Sequence, residues 1–195
     1  MKVLKSYQVI LTGVFFMLLT AGSMFGQNFK MDNSSEIIVE GTSNIHDWEM
    51  KATSKQGGAT ITTEDGKLTG ISKLQVSIPA ESLESGKGGM DKNAYKALNT
   101  NKHKNIEFKL DEVKKIEANG SNSFKVNGLA TLKISGVSKQ VPVEFTAKLN
   151  GNKLEINGEE SLNMTNYKID PPTAMFGTIT TGEEVTIKFK STFSK

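Results

Sequence analysis

The chain has 195 residues, room for one domain plus a short extra segment, and its 36% hydrophobic, 23% charged and 7% aromatic content is an ordinary globular balance. All 24 basic residues are lysine, so the guanidinium fork that reads guanine is missing and nucleic acid is not an expected partner. The absence of cysteine excludes a disulfide framework, a thiolate zinc site, a cysteine nucleophile and a thioether-linked lipid anchor, and two histidines leave little for metal or acid–base chemistry.

Lys2 and Lys5 precede a stretch without charge over residues 6–29, whose apolar heart covers residues 9–11 and 14–19. An apolar run of about a dozen residues is short for a membrane span, which needs ~20, and the small residues Ala21, Gly22 and Ser23 follow it. The pattern predicts a cleaved secretory signal peptide over residues 1–26, with the mature start left open between Met24 and Gln27, and a domain over residues 27–195 in the periplasm or outside the cell. An uncleaved anchor is the competing reading. Loss of Lys2 and Lys5 leaves 22 lysines against 21 acids, so the mature charge is +1 and not +3.

From about Glu36 onward apolar residues recur at every second position, the period of strands with one dry face. Leu74, Val76 and Ile78 share a phase, as do Ile106, Phe108 and Leu110, and then Phe124, Val126, Ala130, Leu132 and Ile134. Val141, Val143, Phe145, Ala147 and Leu149 repeat the pattern, followed by Leu154 with Ile156 and by Val185, Ile187 and Phe189. Gly57-Gly58, Asp65-Gly66, Asn119-Gly120 and Asn150-Gly151 read as tight turns that need positive φ, which implies antiparallel neighbours. The one helical stretch follows Gly88-Gly89, where Met90, Ala94, Ala97 and Leu98 fall on one face and Asp91 lies near the positive end. A single helix cannot serve parallel βαβ crossovers, so an all-β meander or barrel is predicted. Between residues 163 and 181 the alternation stops. Asp170-Pro171-Pro172 precede the apolar Ala174, Met175 and Phe176, which are expected to pack on the barrel end or on a ligand at its mouth.

Several segments carry a further signal in their order and spacing. Gly41-Thr42-Ser43-Asn44-Ile45-His46-Asp47-Trp48 is followed by Leu74-Gln75-Val76-Ser77-Ile78-Pro79, by the helix ending at Leu98, and by His103-Lys104-Asn105-Ile106-Glu107-Phe108. Then come the run from Gly128 to Val137, Phe176-Gly177-Thr178-Ile179, and Gly182-Glu183-Glu184-Val185. Together they resemble the YceI-like family of exported proteins. Asn105 departs from the pattern, because a proline commonly precedes the isoleucine. The resemblance implies a single antiparallel lipocalin-like barrel of about eight strands with one short helix. It also implies a non-catalytic function: binding an isoprenoid or another long-chain lipid, with no other cofactor. A barrel of that size has an interior that side chains fill or that holds one slender ligand. The candidates for an apolar lining are Trp48, Leu74, Val76, Phe108, Leu110, Leu132 and Phe145, with Met175 and Phe176 from the loop. Alternation alone is equally compatible with a self-filled barrel serving as a structural or interaction module of the envelope.

Between residues 87 and 104 stand five lysines (87, 92, 96, 102 and 104) and one acid, Asp91, the clearest charge asymmetry of the chain. At a barrel rim this cluster would attract a phosphate-bearing head group or allow transient contact with an anionic membrane surface. Lys92 and Lys96, one helical turn apart, and His46 are the head-group candidates. His46 with Asp47, and His103 with Glu107, do not supply three convergent ligands, so no metal is expected. No serine elbow, P-loop or HExxH pattern is present, which leaves enzymatic function little support.

Overall fold

The computed structural model describes residues 26–195. The predicted signal segment, apart from its last residue, lies outside the described residues. Among the described residues twelve strands and one α-helix follow in chain order: β1 (Gln27–Met31), β2 (Glu36–Ser43), β3 (Trp48–Ala52), β4 (Gln56–Glu64), β5 (Lys67–Pro79), β6 (Leu83–Glu84), α1 (Gly88–Leu98), β7 (Asn105–Ala118), β8 (Ser123–Ile134), β9 (Val137–Asn150), β10 (Lys153–Asn163), β11 (Thr173–Ala174) and β12 (Ile179–Ser194).

Eight of the strands close a ring in the order β1-β4-β5-β7-β8-β9-β10-β12, with every pairing antiparallel. The closing contact is short, Lys30 against Ser194 and Met31 against Phe193. The chain then steps sideways over residues 32–35. Buried Ser35 holds that step: its hydroxyl donates to the Thr192 carbonyl at 3.1 Å and accepts from the Thr192 N–H at 3.0 Å. Beyond the step β2 takes over the edge of β12, β3 pairs with β2, and β6 pairs with β3. The strand that seals one end of the barrel is therefore replaced at the other by a three-strand flap, and the wall widens.

Expected turns appear at Asp65-Gly66, around Gly120 and at Gly151, each with positive φ. Gly57-Gly58 is a correction: both residues lie inside β4. A Cβ on Gly57 would stand 2.6 Å from the Gln75 carbonyl oxygen and one on Gly58 3.3 Å from that of Phe29, so these glycines permit close backbone approach where three strands crowd together. A turn at Ser135-Gly136 joins β8 to β9 in two residues, both at positive φ.

The narrow end is filled by its own side chains. Phe29, Ile61, Val126, Ala147 and Leu154 are buried there in one cluster. Packing at this end comes from the strict alternation of β8, in which every second residue from Phe124 to Ile134 is buried. The wide end is different. Its apolar residues, including Val39, Trp48, Met90, Ala94, Ile106 and Ile187, are only partly buried although they belong to core clusters.

The β9–β10 ladder is incomplete. It runs from Lys153 opposite Asn150 to Asn157 opposite Thr146 and then stops, although β9 begins at Val137 and β10 continues to Asn163. Pro142 lies in the stretch of β9 without a β10 partner, as expected of an edge, because proline cannot donate to a ladder. Residues 164–167 form a 3-10 turn after β10, and buried Tyr167 packs there in a cluster with Leu132, Ile134, Val141 and Leu162.

Candidate functional site

The partial burial at the wide end has a cause: the side chains surround a cavity of about 410 Å³. That is within the size range of small-molecule sites. Ile37, Val39, Trp48 and Met50 line it from β2 and β3, Ile78 and Ile106 from β5 and β7, and Val185 and Ile187 from β12. Helix α1 forms another wall with Met90, Ala94, Ala97 and Leu98, the face the sequence periodicity marks as apolar. The helix has no fully buried residue: its inward face packs in part on the wide-end clusters and otherwise borders this space.

Three contacts hold α1 in place. The Tyr95 hydroxyl lies 3.0 Å from both the Glu81 and Leu83 carbonyl oxygens, Thr100 Oγ1 donates to Glu81 Oε1 at 2.7 Å, and Asp91 Oδ1 accepts from the Ser85 N–H and hydroxyl at 2.8 and 2.6 Å. Desolvation, reinforced by the charges of Asp91, Glu84 and Glu81, pushes the Tyr95 pKa up, so the phenol remains a donor.

A second cavity of about 110 Å³ lies deeper in the barrel. Ile37, Ile78, Ile106 and Ile187 line both, so the two spaces share a four-isoleucine throat. Leu74, Val76, Phe108, Leu132 and Phe145 surround the inner space. Five of the expected lining residues are thus around the inner cavity, and Trp48 lines the outer one. Leu110 lines neither. It pairs with Ala130, two positions further toward the narrow end than Phe108 opposite Leu132, and is buried in the packed cluster there.

The loop and the head-group candidates are distributed differently. Pro172, Thr173 and Ala174 border the cavity mouth, whereas Met175 and Phe176 line neither cavity and are 69% and 110% exposed. Packing of these two side chains on the barrel end is therefore not found. Met175, Phe176 and Gly177 all have positive φ, and this reversal carries the two apolar side chains into solvent. Asn44 ties the loop to the 42–47 turn: its Nδ2 donates to the Thr178 carbonyl at 2.9 Å, and its Oδ1 accepts from the Thr180 N–H at 3.0 Å. His46 is exposed at the mouth with Nδ1 2.8 Å from the Asp47 carbonyl oxygen, and Lys87 lines the mouth beside it. Lys92 and Lys96 are exposed on the helix face turned away from the cavity, because their positions fall between those of the lining residues 89, 90, 93, 94, 97 and 98. His103 and Glu107 are not brought together. The imidazole packs over Gly136, and Glu107 pairs with Lys133 at 2.9 Å. Among the described residues no group of three or more His, Asp and Glu side chains could hold a metal ion, and no helix is long and apolar enough to cross a membrane.

The model of the YceI-like domain matches residues 29–193, nearly all of this barrel. The chain belongs to the YceI-like family. Solved structures share the YceI-like barrel at low identity. A polyisoprenoid-binding domain from Saccharophagus degradans, implicated in plant cell wall breakdown, superposes with a TM-score of 0.63 at 12% identity, covering 85% of this chain and 97% of that one. BcnA of Burkholderia cenocepacia gives 0.61 at 19% identity, covering 83% and 98%. The YceI protein of Campylobacter jejuni gives 0.50 at 18% identity, covering 70% and 80%. No curated protein matches the chain.

The throat, the inward helix face and Met164 and Ile169, which cover the cavity from the 163–181 segment, are site features that alternation did not single out. Ile78, Ile106 and Ile187 are legible as dry-face residues, but their location at a constriction depends on how the flap diverges from the ring.

Proposed function

We propose that this protein is an exported, non-catalytic carrier that sequesters an isoprenoid or a similar long amphiphile in its barrel. The observation that carries the reading is the apolar space running from the mouth through the isoleucine throat into the inner cavity, within a fold shared with a polyisoprenoid-binding domain. Burial of a CH₂ contributes about 0.8 kcal/mol, so three five-carbon units would gross on the order of 10 kcal/mol before the cost of ordering the chain. No catalytic group is needed for retention. The exposed Ile45, Met175 and Phe176 at the mouth, together with Lys87 on the rim of the outer cavity, fit brief contact with a membrane surface from which cargo is taken. Export rests on the signal-like pattern of residues 1–26.

The test is solvent extraction of the purified protein followed by mass spectrometry, together with titration of delipidated protein by isoprenoid alcohols. A stoichiometric lipid or saturable uptake is expected. Absence of both would overturn the reading.

A further inference from the structure

The seam between β9 and β10 is open over part of its length, although each strand is held on its other side. β9 pairs with β8 from Val137 to Lys148, and β10 pairs with β12 from Lys153 to Asn163. Between β9 and β10 the ladder ends at Thr146 opposite Asn157. Extending that register by two residues would set Glu144 opposite Glu159, and by four would set Pro142 opposite Ser161. Like charges directly opposite each other disfavour pairing, and proline has no N–H to give. Each glutamate instead meets a cation on its other neighbour: Glu144 bonds Lys125 of β8 at 2.7 Å, and Glu159 lies opposite Lys188 in the β10–β12 register. The residue types thus specify where the strands part.

The opening is bounded at both ends. Toward the narrow end it stops at the Thr146 and Asn157 pair, and toward the wide end Leu162 and Tyr167 belong with Val141 to one packed cluster. Between these limits the inner cavity reaches the seam. Val143 and Phe145 of β9 and Glu160 of β10 line it, and so do Glu144 and Glu159, which are exposed. Residues that border an internal space and also meet solvent stand at an opening of that space. Outside, Glu159 and Phe189 border a surface groove of about 450 Å³, whose other apolar lining is Ile38 and Gly158. Phe189 reaches both spaces because residue 158 is glycine: a Cβ there would stand 2.7 Å from the ring.

We infer that the β9–β10 seam is a side slot of the barrel, through which the far end of a hydrocarbon chain too long for the two cavities passes from the inner cavity to the outer groove. This slot rests on the lipid-carrier reading and adds a second opening to it. A chain that enters at the mouth and passes the throat meets the packed narrow end, where Phe29, Ile61 and Leu154 are buried against one another. The seam is the way on. Its chemistry suits an uncharged chain, because the cavity behind it is apolar while Glu144 and Glu159 at the rim repel a phosphate. The end that emerges is therefore hydrocarbon and not an anionic head group.

The mature protein has no cysteine, so an introduced thiol pair has only itself to bond. Glu144→Cys with Glu159→Cys places one thiol on each lip of the slot, and oxidation to a disulfide draws the lips together. Delipidated protein, oxidised and reduced, is titrated with detergent-solubilised geranylgeraniol and with the much longer solanesol, followed by the emission of Trp48, the single tryptophan. Oxidation should lower solanesol affinity about tenfold or more and geranylgeraniol affinity less than about twofold, because only the long chain loses buried length when the slot closes. A second measurement does not depend on the disulfide: in the single variant Glu144→Cys, bound solanesol should slow alkylation of the thiol by a maleimide severalfold, and bound geranylgeraniol should not. Equal solanesol affinity in the oxidised and reduced forms, or alkylation that solanesol leaves unchanged, would overturn the slot and leave the carrier reading intact. So would wild type that binds geranylgeraniol but not solanesol. Failure of both alcohols to bind wild type would overturn both.

Discussion

Gly41 and Trp48 face each other across the β2–β3 pair, and the indole of Trp48 occupies the space a side chain on residue 41 would need. The ring Nε1 donates to the Thr42 carbonyl at 3.0 Å, so the indole is fixed at both its face and its edge while bordering the outer cavity. Gly41→Ala should push the indole off its glycine seat. Overpacking of this kind costs on the order of 1–3 kcal/mol. The expected outcome is a lower thermal midpoint together with a shifted Trp48 emission. An unchanged emission spectrum would show that the ring is not held in this way.

Trp48 and Gly41 also mark how far the chain itself could be read. Period-two alternation places Leu74, Val76, Phe108, Leu132 and Phe145 on dry faces, and all five border the inner cavity. The same alternation places Leu110 there too, but it is packed solid. The difference between a filled and a hollow segment of one strand depends on where β1 hands its place on β12 to β2, and that handover is made by residues 32–35, which carry no periodic signal. Gly57-Gly58 misleads for a related reason: a glycine pair marks either a turn or a close approach of backbones, and only the neighbouring strands decide. The helix was legible, with Met90, Ala94, Ala97 and Leu98 all facing the cavity, and so was its opposite face, where Lys92 and Lys96 point away from any ligand in the barrel.

If the protein carries a lipid as proposed, the four isoleucines shared by the two cavities should set the length of chain the barrel accepts. Ile187→Phe adds bulk at the position shared by both cavities and should close the inner one to a hydrocarbon chain. Each CH₂ denied burial forfeits about 0.8 kcal/mol, so affinity for a C20 alcohol should fall about tenfold or more while a C10 alcohol, which fits the outer cavity, is little affected. Equal losses for both lengths would place the bound chain elsewhere.

The lysine cluster divides by geometry. Lys87→Glu, at the mouth, should weaken binding of a prenyl phosphate about two- to fivefold, the range for an exposed charge contact, with the effect reduced by salt. The double change Lys92→Glu with Lys96→Glu should alter it less than twofold. Titrations at low and high salt distinguish the two sets.

Glu160 should make stability depend on pH in an unusual direction for a carboxylate. Burial raises its pKa in the folded chain, and Tyr167, Glu144, Glu159 and Lys188 are the titratable groups around it. The folded state therefore holds the proton more tightly than the unfolded chain. This contribution is fully present below the ordinary glutamate range near 4.3 and is lost as pH rises through the raised value. Glu160→Gln should melt higher than wild type at pH 7, and the gap should close by about pH 3.5, below the unfolded range. A gap that is constant with pH would mean the carboxyl is not desolvated.

Ile45, Met175 and Phe176 are the large hydrophobic residues most exposed among those described, and all three stand in the two loops joined by Asn44 at the cavity mouth. Their position gives the proposed lipid transfer a route. A cargo leaving a bilayer for the barrel must cross a short polar gap, and apolar side chains dipping among the head groups would shorten it. Full burial of a large apolar side chain contributes about 1.5–3 kcal/mol, so replacing Met175 and Phe176 by serine should reduce vesicle association by about tenfold or more. Neither side chain lines the cavities, so affinity for detergent-solubilised geranylgeraniol should be unchanged. The measurement is the rate at which Trp48 emission responds to isoprenoid-loaded vesicles, compared with its equilibrium response to solubilised lipid. A slower rate with an unchanged equilibrium is the expected pair of results, and an unchanged rate would remove the loops from the loading step.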